Sequence, residues 1–100
     1  MDRLAELGDK IVPLLRPYVK KIAVFGSFAR GDETPESDID ILVELKPPGQ
    51  RPSLGLKWFR LEQELGRILG REVELVSESA MSPFVRPYVE KDMVLLYEEG

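Results

Sequence analysis

Residues 38–45 read DIDILVEL, an alternation of charged and apolar residues that suits a β-strand and little else. Successive side chains of a strand point to opposite faces. Ile39, Ile41, Val43 and Leu45 then share one face, and Asp38, Asp40, Leu42 and Glu44 share the other. The first face must be covered, and the flanking sequence offers helices to cover it. Leu4, Leu7, Ile11, Leu14, Leu15 and Tyr18 recur at three- and four-residue spacing, which predicts an amphipathic helix over 3–18. Gly8 and Pro13 are expected to interrupt or bend it, and Pro17 to lie close to its end. A second helix is predicted over 54–69, with Leu54, Trp58, Leu61, Leu65, Ile68 and Leu69 on one stripe and Gly70 as its stop.

The remaining segments complete the pattern. KIAVF (21–25), REVELVS (71–77) and MVLLYE (93–98) read as strands, and Ser27–Arg30 as the opening of a short helix. GDETPES (31–37) and KPPGQRPS (46–53) read as loops, and the stretch broken by Pro83 and Pro87 as one or two short helices. The order α-β-α-β-α-β-α-β predicts an α/β or α+β domain. Its mixed sheet has about four strands, with helices packed on one face. One hundred residues without repeats are expected to form a single domain, 1–100.

Composition narrows the chemistry. The chain has no cysteine and no histidine, which removes disulfides, thiol catalysis, zinc sites built on Cys or His, and an imidazole base. Any catalysis must use carboxylates, hydroxyls, Lys, Arg, Tyr, or a metal on oxygen ligands. A net charge of −4 with dispersed basic residues disfavours a nucleic-acid partner. No apolar run approaches the ~20 residues that span a bilayer, and the acidic N-terminus is unlike a signal peptide, so a cytoplasmic location without a membrane partner is expected. Absence of asparagine and Arg in excess of Lys point to a thermophilic source.

Alternation sets the side chains of Asp38 and Asp40 on one face, with Cα atoms roughly 7 Å apart. Carboxylates that close repel, so either one takes up a proton or a cation lies between them. Mg²⁺ suits the second case, being hard and held typically by one or two carboxylates plus substrate phosphates. Gly26 and Ser27, which follow the strand 21–25, can present backbone N–H groups and a hydroxyl to an anion. Arg30, about one helical turn on, can add a charge-assisted contact.

Gly26-Ser27, ten residues, then Asp38-Ile39-Asp40 resembles the signature of the DNA polymerase beta-like nucleotidyltransferase superfamily. VFGSFARGDETPESDIDILVEL, REVELV and FVRPYVEKDMVLLYEE resemble its minimal nucleotidyltransferases, small proteins often encoded beside a HEPN-domain protein. The resemblance implies the polymerase beta-like fold and two Mg²⁺ ions on three carboxylates. It implies attack of a hydroxyl on the α-phosphate of a nucleoside triphosphate. Asp38 and Asp40 match the first two carboxylates. Glu74 stands where the family usually has Asp, one methylene longer, with Glu72 as the fallback. The resemblance thus makes Asp38, Asp40 and Glu74 the catalytic and metal-binding set, and Gly26, Ser27 and Arg30 the nucleotide-binding set.

The implied activity is transfer of AMP from ATP to a tyrosine hydroxyl of a HEPN toxin, with this chain as antitoxin in a homo- or hetero-oligomer. The rivals are an inactive module that neutralises its partner by docking, and a transferase for a small hydroxylated molecule. Plainer roles are expected elsewhere. Ser37 reads as a turn residue, Trp58 as core, Glu62 and Glu64 as a solvated helix face, and Tyr18, Tyr88 and Tyr97 as packing residues. Nothing in the spacing of Arg86 and Lys91 ties them to a nucleotide.

Overall fold

A computed structural model describes residues 3–32 and 34–99. Its elements run α1 (Arg3–Leu15), β1 (Val19–Phe25), α2 (Gly26–Arg30), β2 (Ile39–Leu45), α3 (Lys57–Leu69), β3 (Val73–Ser77), α4 (Arg86–Asp92) and β4 (Val94–Glu98). The strands form one mixed sheet in the order β3-β2-β1-β4. β1 pairs antiparallel with both β2 and β4, while β2 and β3 are parallel. Every predicted strand forms, and the fold is α+β with four strands, as the alternation and helical stripes imply.

The alternation of β2 divides the molecule. Ile39, Ile41 and Val43 join Ile22 and Val24 of β1 and Val73 and Leu75 of β3 in one core layer. α1 covers that layer with Leu7, Ile11 and Leu15, and α3 with Leu61 and Leu65. Burying each such side chain contributes roughly 1.5–3 kcal/mol. Leu65 is fully buried. Leu65→Ala is therefore expected to cost about 3 kcal/mol, read as a lower midpoint in urea. The expected helix layer on one face thus consists of α1 and α3. The opposite face carries Ala23 and Leu42, and there the short α4 packs through Val89. Asp40 shares that face by alternation.

Three local expectations are corrected. α1 runs unbroken through Gly8 and Pro13 to Leu15. Its buried stripe of Leu7, Ile11 and Leu15 holds the helix against the loss of one backbone donor at Pro13. α3 begins at Lys57 rather than at 54. Gly55 takes a left-handed conformation (φ 43°), and the Lys57 amide donates to the Leu54 carbonyl in a turn that leads into the helix. Its end falls as expected, with Gly70 left-handed at φ 69°. Glu62, read as a solvated residue, accepts a hydrogen bond from the Leu75 amide at 2.9 Å. β3 is an edge strand, and this carboxylate occupies a donor that no neighbouring strand can reach. Trp58 packs against the core as expected. Among the described residues no helix is long and apolar enough to cross a membrane.

Candidate active site

The centre of the site is the register between two strands. Asp40 of β2 pairs with Glu74 of β3 in the parallel ladder. Parallel partners in register present their side chains to the same face. Val73 and Leu75, on either side of Glu74, face the core. Burying them turns Glu74 toward Asp40. Asp38, at the entrance to β2, is exposed.

This cluster of like charges is felt most at Asp40. Burial pushes its carboxyl from 3.8 up to about 6, and the Glu74 charge, a hydrogen bond with Glu74 and the Asp38 charge add to the rise. Arg30 alone pulls the other way. Glu72 lies just outside β3 and lines a cleft beside Glu62 and Gln63 of α3. It is not among the groups that raise the Asp40 carboxyl. Of the two glutamates weighed as third carboxylate, Glu74 is the one the register brings to Asp40.

Gly26 meets the cluster from β1. Phe25, the last residue of β1, is the register partner of Asp40, and the chain then reverses at Gly26 with φ 75°. A Cβ built on Gly26 would lie 2.3 Å from Asp40 Oδ2. Glycine is required there twice, for the left-handed backbone and for the close approach of a carboxylate. The single turn of α2 follows, anchored by the buried Phe28 and closed at Gly31, φ 80°. Ser27 lies half-buried at its start.

Arg30 ends α2 and points its guanidinium between two carboxylates. Nε donates to Asp32 Oδ2 and Nη1 to Asp92 Oδ2, each at 3.3 Å. Asp32 first and Asp92 second hold the guanidinium pKa above its ordinary value. Asp92 belongs to α4, sixty-two residues away. Sequence reading missed it, since no local spacing links the two. Ser37 fills its expected turn role by accepting from the Thr34 amide at 2.9 Å.

The structure assigns Arg86 elsewhere. Its guanidinium donates to Glu78 Oε1 at 3.1 Å and to the Glu78 carbonyl at 3.2 Å. Lys21 Nζ stands 3.1 Å from the other Glu78 oxygen. Burial pushes the Glu78 carboxyl up, but the Lys21 and Arg86 cations outweigh it and hold the group below its ordinary range. This network braces α4 against β1 and leaves Arg86 engaged.

Among the described residues no three carboxylates converge tightly enough to encircle an ion. The donor set nonetheless suits a hard divalent cation. It is all oxygen, it is anionic and partly desolvated, and its mutual repulsion is what a cation would relieve.

Known proteins resemble this chain in sequence and in fold. A family profile described as a nucleotidyltransferase domain matches residues 9–96. A provisionally named protein adenylyltransferase of Methanocaldococcus jannaschii is 44% identical over 77 residues, 76% of this chain and 74% of the relative. The protein adenylyltransferase MntA of Thermococcus cleftensis is 40% identical over 76 residues, 76% of this chain and 73% of the relative. In the solved complex of a tri-AMPylated Shewanella oneidensis HEPN toxin with MNT antitoxin, a chain 26% identical superposes with a TM-score of 0.70. That match covers 95% of this chain and 72% of the other. The resemblance drawn from the Gly-Ser and Asp-x-Asp residues is thereby met over most of the sequence, and the chain belongs to the nucleotidyltransferase domain family, as one of its minimal enzymes.

Proposed function

We propose that this protein transfers AMP from ATP to a tyrosine hydroxyl of a HEPN-domain partner and so acts as that partner's antitoxin. The observation that carries the reading is the Asp40–Glu74 register with Gly26 against Asp40. It brings two carboxylates together on one face of the sheet beside the Gly26 turn, with Asp38 just ahead of β2. The relatives named as adenylyltransferases and the AMPylated toxin complex support AMP as the transferred group and a HEPN protein as the acceptor.

Asp38, Asp40 and Glu74 would hold the metal, two Mg²⁺ ions with nucleotide bound. When bound, these ions would activate the attacking oxygen and neutralise the leaving phosphates. Gly26 gives phosphate oxygens close access to the backbone, Ser27 donates a hydroxyl hydrogen bond, and Arg30 supplies a charge-assisted contact. The acceptor oxygen forms a bond to the α-phosphorus, the bond to the β-phosphate bridge breaks, pyrophosphate leaves and the hydroxyl proton is released. Holding those groups in line is the main work of the protein in phosphoryl-type transfer.

Labelled ATP, Mg²⁺ and the HEPN partner test the reading beside an Asp38→Ala/Asp40→Ala double variant. Label is expected on the partner with the native chain and absent with the variant. Neutralisation that persists undiminished in the variant would sink catalysis as the mechanism and favour docking alone. Glu74 gives that second reading its one foothold, because its extra methylene alters the ligand set. Glu74→Ala is expected to weaken Mg²⁺-dependent ATP binding in calorimetry by at least the roughly 10–100-fold seen when a metal site loses an outer partner. Unchanged binding would mean that another group is the third ligand.

A further inference from the structure

α4 bounds the site on a side that the Gly-Ser and Asp-x-Asp residues do not reach. A cleft of about 550 Å³ runs between α2 and α4. Phe25 and Val89 give it an apolar floor, and Arg30, Tyr88 and Lys91 stand around it. Gly26 lines it too, so the cleft adjoins the turn that packs against Asp40.

Tyr88 departs from its expected packing role. It is 76% exposed, and the buried residue of α4 is its neighbour Val89. Lys91 follows three residues later and therefore lies on the same side of the helix. Asp92 completes the wall by holding Arg30 at 3.3 Å. Arg30 is held by Asp32 and Asp92, which leaves Lys91 beside a solvent-facing aromatic ring and an apolar floor, a combination that matches a planar aromatic group with an anionic tail.

We propose that this cleft receives the nucleoside end of the nucleotide, with the Tyr88 ring stacked on the base and Lys91 facing the phosphate chain. The inference rests on the nucleotidyltransferase reading above and adds a subsite to it. Stacking is tolerant because every base has a π-face. Tyr88 therefore tightens purine nucleotides in common and does not choose among them.

Calorimetry with Mg-ATP and with Mg-tripolyphosphate, which has the phosphate chain and no base, tests the assignment. Tyr88→Ala is expected to weaken Mg-ATP about ten-fold and leave Mg-tripolyphosphate unchanged. Tyr88→Phe keeps the ring and is expected to bind both as the native chain does. Exposure of the side chain keeps both variants folded, which thermal melts check. Equal weakening of both ligands in Tyr88→Ala, no weakening of Mg-ATP, or a Tyr88→Phe variant as impaired as Tyr88→Ala each overturns the stacking role. A native chain that binds neither ligand overturns the nucleotidyltransferase reading itself, and the subsite with it.

Discussion

Asp40→Asn is expected to abolish the proposed AMP transfer and at the same time to raise the melting temperature of the metal-free protein at pH 7. The expected loss of transfer, on the order of a thousand-fold or more, follows if Asp40 carries the charge the proposed reaction needs. The gain in stability follows from where that charge lies. The Asp40 carboxyl is raised from 3.8 to about 6 by burial, by Glu74 and by Asp38. A raised carboxyl binds its proton more tightly folded than unfolded. Its contribution to stability is complete below about pH 4 and is lost as pH rises through about 6. At pH 7 the ionised group weighs against the fold. The full shift would correspond to about 3 kcal/mol, but part of the carboxylate remains in water, so about 1 kcal/mol is the fair figure. Asparagine removes the charge and keeps the shape. In a chelating buffer at pH 7 the variant is expected to melt about 4–8 °C higher, with the difference vanishing near pH 4. A variant that melts lower at pH 7, or gains equally at both pH values, contradicts the electrostatic account.

Gly26→Ala is expected to lose at least about a hundred-fold in activity, the scale on which misplacing a reacting group by an ångström acts. Its Cβ would stand 2.3 Å from Asp40 Oδ2, and the carboxylate is the partner free to move. The backbone also resists, since φ is 75° and a left-handed residue with a Cβ costs about 1–2 kcal/mol. Gly31 separates the two effects. It is equally left-handed at φ 80°, yet a Cβ there meets nothing within 4 Å. Both alanine variants should unfold at lower urea concentration by a similar margin, while Gly26→Ala alone loses transfer. Equal activity in the two would show that the crowding at Asp40 is without consequence.

The face shared by Asp40 and Glu74 was legible because its geometry is carried by short-range periodicity. The period of two in DIDILVEL placed Asp38 and Asp40 opposite Ile39 and Ile41, and the same rule in REVELV placed Glu74 opposite Val73 and Leu75. What escaped reading depends on contacts between segments distant in sequence. Arg30 and Asp92 meet only because α2 and α4 pack on the same part of the sheet. Arg86 is taken up by Glu78 for the same kind of reason. Glu62 gained its partner because β3 is an edge strand, a fact of strand order and not of local pattern. Tyr88 escaped because α4 has seven residues and buries one of them, too little to fix from spacing which side faces water.

The parallel pairing of β2 with β3 also bears on how faithfully the enzyme is made. A slip of one residue would turn Val73 and Leu75 out of the core and set an apolar side chain beside Asp40. Such a chain would lose its packing together with its third carboxylate. Copies slipped by one are then conspicuous to the quality control that removes unpacked chains. The slip of two that preserves both faces sets either Val76 or another acid, Glu72, opposite Asp40. The hydrophobic layer thereby guards this register against a slip of one, and a slip of two escapes it.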